Sequence, residues 1–338
     1  MKIEYSTAGK TDKGLVRASN EDAFKINQDQ NLFVVCDGMG GHQAGEVASN
    51  EACEVINYCF TNLAEKINAR QELNLPDKIP PRGELLVKAI RIANRSIYMR
   101  SRSSSSLSGM GTTVVAMAID EGLISIAHAG DSRAYRFYQG QLNRLTTDHS
   151  WVSELQASGN MSEEEANQIA GKNVITRALG VNERVDIDYR ADKLTEGEIY
   201  LLCSDGLCGF AEDEEIRSVL ADSDNDVDQI VKNLVQLGND HGGQDNVTVV
   251  ALRIDKTDAP EDTSVYPPVT VSKESDEALT VENELVNTIL DLKKSLNAAE
   301  EKKREVEQEQ KGSKAPLVFI FLLFIIIAAV FIYFSLGK

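Results

Sequence analysis

Short apolar runs joined by short turns dominate the first 254 residues and constrain the fold more than any other feature. Runs such as Leu123–His128 and Arg133–Tyr138 have the length of strands, and the connections Asp120-Glu121-Gly122 and Gln139-Gly140 are built from turn residues. Turns this short join neighbouring antiparallel strands, whereas parallel strands need a long crossover. The pattern therefore predicts a domain over residues 1–254 whose strands pair in an antiparallel manner.

Strand and helix candidates are mixed along this domain rather than strictly alternating, which is typical of an α+β fold. The strand candidates are Leu32–Cys36, Thr112–Ile119, Leu123–His128, Arg133–Tyr138, Ile199–Cys203 and Asn246–Ile254. The helix candidates are about Ala44–Ala69, Gly83–Arg100, Trp151–Ala157, Ser162–Ile169, Asp213–Leu220 and Val227–Leu237.

The composition excludes several classes of protein. The net charge of −18 disfavours binding to nucleic acid, which requires basic surfaces. The five cysteines form no CxxC pair, so neither a zinc knuckle nor a disulfide framework is indicated, and we expect buried free thiols. The first fourteen residues lack the apolar stretch of a secretory signal.

The C-terminal end carries a second strong signal. Leu317–Leu336 contains no charged residue. A helix of that length spans roughly 30 Å, the thickness of the hydrocarbon core of a bilayer. Residues 316–336 are therefore predicted to form one transmembrane helix. Lys311 and Lys314 precede it, which favours a cytosolic position for the domain before it.

Two segments separate the domain from this helix. Residues 255–280 are rich in Asp, Glu, Thr, Ser and Pro, which predicts an acidic flexible linker. Residues 281–315 are predicted as a helical stalk. Its apolar positions follow the spacing of a short coiled-coil seam: Leu285, Ile289, Leu292, Leu296 and Ala299. A weak homodimer through the stalk is one outcome of this pattern, and a stalk that does not dimerise is the other.

Aspartates lie where several predicted strands begin or end near glycine turns. They are Asp37, Asp131, Asp205 and Asp245. A single Asp-Gly pair is usually only a turn. Repetition at strand ends, however, predicts that several carboxylates converge, and they would repel one another unless a cation neutralised them. Oxygen ligands of this kind suit magnesium or manganese better than zinc.

Eight segments in order resemble the metal-dependent serine/threonine protein phosphatases of the 2C (PPM) class, in their bacterial form. The segments are RASNEDAF (17–24), VVCDGMGGHQAGEVAS (34–49), GMGTTVV (109–115), AHAGDSRAY (127–135), LTTDHSWV (145–152), ITRALG (175–180), LLCSDGL (201–207) and GGQDNVTVV (242–250). The resemblance implies a sandwich of two antiparallel β-sheets flanked by α-helices. It also implies hydrolysis of phosphoserine and phosphothreonine at a binuclear Mn²⁺ or Mg²⁺ centre, without a phosphoenzyme intermediate.

The resemblance assigns roles to individual residues of the metal centre. Asp37 would bridge two ions, and the carbonyl group of Gly38 would bind one of them. Asp205 and Asp245 would hold the first ion.

The remaining roles concern the other ions and the substrate. Glu21, with Asp22 beside it, would serve the second ion directly or through water. Asp131 would help to bind a third, weaker ion. Arg17 would bind the substrate phosphate, because its guanidinium donors match phosphate oxygens.

No proton donor follows from the sequence. Eukaryotic relatives carry His two residues after the bridging Asp, but Met39 stands there in this chain. His42, His128, His149 and His241 are interpreted as structural or solvated residues. His149 precedes the segment that would form a mobile flap, about Ser150–Lys172.

Three other functions agree less well with the sequence. A catalytically silent phosphoprotein-binding module would need broken metal carboxylates, yet all of them are present. A structural membrane protein would not explain the strand-end aspartates. A nucleotide triphosphate enzyme would need a phosphate-binding loop that the sequence lacks. We therefore expect a phosphatase of phosphoserine and phosphothreonine proteins, with a membrane serine/threonine kinase and its substrates as partners, at a bacterial inner membrane.

Overall fold

A computed structural model defines twelve strands and eight α-helices over the part of the chain that it describes. The described residues are 3–41, 44–68, 79–157, 174–222, 226–259, 265–272 and 278–291. The strands are β1 (Ile3–Asp12), β2 (Asp22–Asn27), β3 (Leu32–Met39), β4 (Gly111–Thr112), β5 (Val114–Asp120), β6 (Leu123–Ala129), β7 (Arg133–Tyr138), β8 (Gln141–Arg144), β9 (Ile187–Lys193), β10 (Ile199–Cys203), β11 (Val247–Thr257) and β12 (Tyr266–Val271).

The helices lie outside two antiparallel sheets. They are α1 (Ala44–Tyr58), α2 (Ala64–Asn68), α3 (Pro81–Ser103), α4 (Trp151–Ala157), α5 (Asp205–Cys208), α6 (Asp213–Ala221), α7 (Val227–Asp240) and α8 (278–291). Sheet A has the strand order β1-β11-β10-β7-β8. Sheet B has the order β12-β9-β6-β5-β3-β2, and β4 pairs with β3. The predicted sandwich of two antiparallel sheets with flanking helices is confirmed.

Alternation of side chains along the strands builds two cores. In β10, Tyr200 and Leu202 belong to a buried cluster with side chains of sheet B such as Phe33 and Val115. The intervening Leu201 belongs to a second buried cluster, formed with apolar residues of α6 and α7. Successive side chains of a strand point to opposite faces, so one strand can serve both cores.

Most predicted elements appear close to their expected bounds. Arg133–Tyr138, Ile199–Cys203 and Trp151–Ala157 match the structure at both ends. The predicted helix over residues 44–69 is interrupted, because a π-helical turn at Cys59–Leu63 separates α1 from α2. The predicted helix at 162–169 lies outside the described residues. All five cysteines are free and buried, as expected.

The predicted boundary at residue 254 and the linker after it need correction. β12 occupies residues 266–271 and pairs with β9. It contains Pro267 and Pro268, and the register shifts between Tyr266 and Val269. Proline lacks the backbone donor of a strand but is tolerated at a sheet edge, which is where β12 lies.

The compact unit that holds the sheets continues to Val286, and a second unit spans Asn287–Lys338. Leu285 and Val286, at the end of the first unit, are fully buried. Arg95 of α3 donates to the Asn283 side chain, and Arg91 donates to the carbonyl group of Ser272. Leu285, predicted as a seam position of the stalk, is therefore a core residue.

No helix within the described ranges is long and apolar enough to cross a membrane. The predicted transmembrane helix at 316–336 and the stalk after residue 291 lie outside those ranges.

Candidate active site

Asp37 lies near the end of β3, and its backbone is fixed by neighbouring hydroxyl groups. Its N–H group donates to Thr113 Oγ1 at 3.0 Å. Its carbonyl oxygen accepts from Thr112 Oγ1 at 2.8 Å and from the Thr113 N–H group at 2.8 Å. Thr113 Oγ1 in turn shares a 2.7 Å hydrogen bond with Ser132 Oγ. These hydrogen bonds therefore fix both the N–H group and the carbonyl group of Asp37.

Asp22 pairs with Asp37 across β2 and β3 and is buried. Its Oδ2 atom accepts from Ser204 Oγ at 2.8 Å, and Ser204 Oγ also accepts from the Thr248 N–H group at 3.0 Å. Burial raises the pKa of Asp22 to about 7. Glu21, by contrast, is only partly buried. Asp22 is thus engaged by Ser204, while Glu21 is the more accessible of the two carboxylates.

Asp131 and Asp205 bring further buried carboxylates beside Asp37. Asp131 follows β6, and Asp205 opens α5. The pKa of Asp37 is held well above the ordinary range by burial and by the charges of Asp22, Asp205 and Asp131. Burial raises the pKa of Asp131 to about 7, and burial together with the charge of Asp245 raises that of Asp205.

The Oδ1 atoms of Asp131 and Asp205 are buried, and neither has a hydrogen-bond partner within the described residues. Buried carboxylate oxygens without partners are costly, and each carboxylate disfavours ionisation of the next. Divalent cations that prefer oxygen ligands would remove both costs. The donor set therefore fits the predicted metal ions.

Arg17 and Asp245 form an ion pair at the edge of this cluster. Arg17 Nη2 lies 2.7 Å from Asp245 Oδ2, and 54% of the Arg17 side chain is exposed. The hydrogen bond to Asp245 raises the pKa of Arg17. A guanidinium carries five N–H donors in a planar fork. Arg17 can therefore hold Asp245 and still offer donors to a phosphate at the surface.

Asn246 ties the segment that carries Arg17 and Glu21 to β11. Its Nδ2 atom donates to the carbonyl groups of Lys13 and Ser19, at 2.8 and 2.9 Å. Its Oδ1 atom accepts from the Glu21 N–H group at 2.8 Å. Asn246 is almost fully buried. One amide side chain thus fixes both ends of the segment.

Two glycines allow α1 to approach the end of β3 and the Glu21 side chain. A Cβ atom at Gly38 would lie 2.5 Å from the Glu21 carbonyl oxygen. A Cβ atom at Gly45 would lie 2.5 Å from Glu21 Oε2. The Gly38 N–H group donates to the Glu21 carbonyl oxygen at 3.1 Å. Larger residues at 38 or 45 would displace Glu21.

A cleft of about 520 Å³ opens beside Asp131 and Asp205. Arg133 and Arg144 also line it, and both pair with Asp148. The Nη2 atom of Arg133 lies 2.8 Å from Asp148 Oδ2. Residues of α4 form part of the wall. This helix is the described part of the predicted flap, whose residues 158–172 lie outside the described ranges.

The described histidines are all engaged in hydrogen bonds. The rings of His128 and His149 stack at 4.7 Å with an interplanar angle of 5°. Burial lowers the pKa of His128 to about 4. His241, which follows α7, lies 3.0 Å from Glu215 Oε2 of α6. His42 lies outside the described residues.

Sequence reasoning missed the residues that support the carboxylates. Four such residues stand inside the family-like segments, but the sequence alone assigns them no role: Ser204, Asn246, Thr112 and Thr113. The sequence offers one clue, which is adjacency to a predicted metal ligand: Ser204 precedes Asp205, and Asn246 follows Asp245. Adjacency alone does not reveal that Ser204 bonds to Asp22, 182 positions away.

Comparison with known proteins agrees with this site. The family model described as Protein phosphatase 2C matches residues 16–245. The serine/threonine phosphatase stp of Listeria monocytogenes serotype 4b (strain F2365) is 34% identical over 258 residues, which cover 75% of this chain and 98% of that protein.

Solved structures show the same fold. Serine/threonine phosphatase Stp1 from Staphylococcus aureus has a TM-score of 0.64 and 34% identity, covering 76% of this chain and 96% of that one. The catalytic domain of the serine/threonine protein phosphatase PstP in complex with two manganese ions has a TM-score of 0.64 and 32% identity, covering 75% of this chain and 100% of that one. With this family match, these relatives and these carboxylates, the chain belongs to the protein phosphatase 2C family.

Proposed function

We propose that this protein hydrolyses phosphoserine and phosphothreonine esters of proteins at a centre of two Mn²⁺ or Mg²⁺ ions. The observation that carries the proposal is the cluster of buried carboxylates around Asp37, in which Asp131 Oδ1 and Asp205 Oδ1 lack hydrogen-bond partners among the described residues. The relatives named serine/threonine phosphatases support the substrate class, and the manganese complex of PstP supports the cofactor.

Within the proposal, Asp37 would hold both ions, and the Gly38 carbonyl group would bind one of them. Asp205 and Asp245 hold the first ion. When bound, such ions activate water as a nucleophile near neutral pH and offset the charge of the phosphate. The hydrogen bonds from Thr112 and to Thr113 keep the Asp37 backbone fixed.

Glu21 rather than Asp22 serves the second ion in this proposal. Asp22 Oδ2 is occupied by the Ser204 hydroxyl group and is buried, whereas Glu21 lies at the accessible side. Asp22 then acts behind the centre by holding Ser204 beside Asp205. Asp131 serves a third, weaker ion, since it shares the wall of the cleft with Asp205.

Arg17 binds the substrate phosphate in the proposal. It is exposed at the edge of the carboxylate cluster, and its ion pair with Asp245 holds it there. A phosphate that reaches Arg17 is therefore next to the residues assigned to the ions. No side chain of the protein is proposed to take up the phosphoryl group.

Phosphate release from a phosphothreonine peptide by the full-length protein tests the metal-dependent reaction. We expect hydrolysis with Mn²⁺ or Mg²⁺ and none after chelation. Asp37→Asn should lower kcat by roughly a thousandfold or more, because the bridging ligand serves both ions. The exposed Asp228, at the start of α7, provides the matched control Asp228→Asn. Full activity after exhaustive removal of divalent ions would refute the proposal.

We further propose that residues 316–336 anchor the protein in a membrane as a single C-terminal helix. The support is the uncharged run Leu317–Leu336, long enough for a helix of roughly 30 Å. The catalytic domain then faces the cytoplasm, and a bacterial inner membrane is the proposed site. A membrane serine/threonine kinase and its substrates are the proposed partners, because anchoring raises their effective concentration.

Membrane fractionation of the full-length protein and of a protein ending at residue 291 tests the anchor. The full-length protein should sediment with membranes, and the shorter protein should not. Protease added outside intact cells should leave the catalytic domain uncut. A full-length protein that remains in the soluble fraction would exclude the anchor.

Dimerisation through the stalk is proposed only for the seam after residue 289, since Leu285 and Ile289 are both buried. Chemical cross-linking at membrane density, with Leu292 and Leu296 changed together to Ser as the comparison, would test it. Equal cross-linking of both proteins would count against a stalk dimer.

A further inference from the structure

A hydrogen-bonded chain leads from the C-terminal strand β12 to the loop that carries Asp131. It ends at Gly130, the residue before Asp131. The Gly130 N–H group donates to His149 Nδ1 at 3.1 Å, and the Gly130 carbonyl oxygen accepts from the His149 N–H group at 3.0 Å. Gly130 has a φ of +117°, and a Cβ atom there would lie 2.6 Å from Thr113 Cβ. The position thus requires glycine, and His149 holds its peptide from both sides.

The bond to Gly130 fixes the tautomer of His149. Because Nδ1 accepts a hydrogen bond, the ring proton is on Nε2, which then donates to Asp188 Oδ2 at 3.1 Å. Arg177 Nη1 lies 3.2 Å from the same nitrogen, but a guanidinium can only donate, so its hydrogen bond goes to Asp188 Oδ1 instead. His128, His149 and Asp188 have ligand atoms within 4.8 Å of one another, which is also the spacing of a metal site. A metal ion bound to His149 Nε2 would require the ring proton to be on Nδ1. That proton would then face the N–H group of Gly130, which is also a donor. The cluster is therefore a hydrogen-bonded assembly and not a second metal site.

Asp188 is itself held from two further directions. Its Oδ1 atom accepts from Arg177 Nη1 at 3.0 Å and from Thr270 Oγ1 at 2.8 Å. Thr270 lies in β12, directly opposite Asp188 of β9. β12 follows the region matched by the family model, which ends at residue 245. A strand beyond that region thus completes the hydrogen bonds of Asp188.

We infer that His149 is a positioning residue for the phosphatase reaction. Asp188 and Thr270 hold its ring, and the ring holds the Gly130 peptide and with it the Asp131 carboxylate at the cleft. The inference rests on the proposed metal-dependent function, because Asp131 matters only if it binds an ion. Supporting groups behind a metal ligand commonly alter metal affinity by about 10- to 100-fold.

Three variants separate positioning from a general structural role. His149→Asn can place an amide oxygen near the position of Nδ1 and keep the acceptor for Gly130, whereas His149→Gln places its amide near Nε2 and cannot. Thr270→Val removes one hydroxyl group with little change of shape. Ser6→Ala is the matched control, since Ser6 Oγ also donates to an aspartate of a neighbouring strand, Asp255, at 3.3 Å in sheet A.

The first measurement uses metal-free full-length protein and needs no activity. Amide hydrogen exchange of Gly130, followed by NMR in detergent, should be faster in His149→Gln than in the wild type and His149→Asn. The ¹⁵N signals of the wild-type His149 ring should report a protonated Nε2. A ring protonated at Nδ1, or equal Gly130 exchange in all proteins, would overturn the inference.

The second measurement is the binding of Mn²⁺, with free ion detected by electron paramagnetic resonance. The Kd of the weakest site should rise about tenfold in His149→Gln and roughly threefold in Thr270→Val, with no change in Ser6→Ala. When Asp131 is already changed to Asn, adding Thr270→Val should cause no further change in the Kd for Mn²⁺.

An additive effect of Thr270→Val in the Asp131→Asn protein would show a merely structural role and overturn the inference. Failure of the wild type itself to bind Mn²⁺ would instead refute the proposed function. Wild-type binding with unchanged variants would refute only the role of His149. The two failures are therefore distinguishable.

Discussion

Replacement of Asn246 by alanine should destabilise the protein and loosen the segment that carries Arg17. The Asn246 side chain makes three hydrogen bonds, to the carbonyl groups of Lys13 and Ser19 and from the N–H group of Glu21. The side chain is almost fully buried, so alanine would leave three backbone groups without their partner.

The size of the effect follows from these bonds. A hydrogen bond contributes about 1 kcal/mol net to folding, so the three together amount to about 3 kcal/mol. This loss of free energy is at the upper end for a single substitution, but it is below the total stability of most domains, which is roughly 5–15 kcal/mol. The variant should therefore fold with a reduced free energy of unfolding. Its KM for a phosphothreonine peptide should rise because Arg17 is no longer held in place.

Urea unfolding of the full-length protein in detergent, followed by circular dichroism, measures the change. Asn50→Ala is the matched control, because Asn50 is exposed and makes one hydrogen bond, to the Glu46 carbonyl group at 2.8 Å. The control should lie within about 0.5 kcal/mol of the wild type. If Asn246→Ala unfolded at the same urea concentration as Asn50→Ala, the segment would not depend on Asn246 and the reasoning would fail.

Three further predictions follow from the site and the C-terminal strand. Arg17→Ala should raise KM for phosphopeptides roughly tenfold, with Arg217→Ala, at a partly exposed arginine, as control; unchanged kinetics in steady-state assays would remove Arg17 from substrate binding. In metal-free protein the folded pKa values of Asp22 and Asp131, about 7, exceed the ordinary 3.8. Their contribution to stability is therefore complete below pH 3.8 and is lost as the pH rises through 7. Calorimetry should find a lower Tm for metal-free protein at pH 8 than at pH 5.5, and a larger gain from Mn²⁺ at pH 8; a higher metal-free Tm at pH 8 would contradict this sign. A protein ending at residue 254 should be less stable in urea than one ending at 291, because it lacks β12 and the buried Leu285 and Val286; equal midpoints would mean that these residues do not support the domain.

The fold was largely predictable where apolar runs were continuous. Strands such as β7 and β10 could be bounded at both ends, because turn residues flank them. β1 was missed, since its sequence IEYSTAGKTD is mostly polar and mostly half-buried. β12 was missed because Pro267-Pro268 is typical of a linker, and only the pairing with β9 shows that an edge strand tolerates them.

The metal-ligand candidates were predictable from local pattern, but their support was not. Four aspartates lie near a predicted strand end and close to a glycine, so residue type and position together indicated a metal site: Asp37, Asp131, Asp205 and Asp245. The bond from Ser204 to Asp22 and the bonds of Asn246 join residues far apart in sequence. Their existence depends on register between strands, which a single sequence does not reveal.

The two prolines of β12 also determine how sheet B ends. An edge strand normally presents a row of unpaired N–H and carbonyl groups, which can recruit a strand from another molecule. Pro267 and Pro268 offer no N–H group, and the register irregularity beside them breaks the even spacing that a further strand would need. β12 therefore closes this side of the sheet against intermolecular growth, a protection against aggregation that matters most when many copies are crowded together.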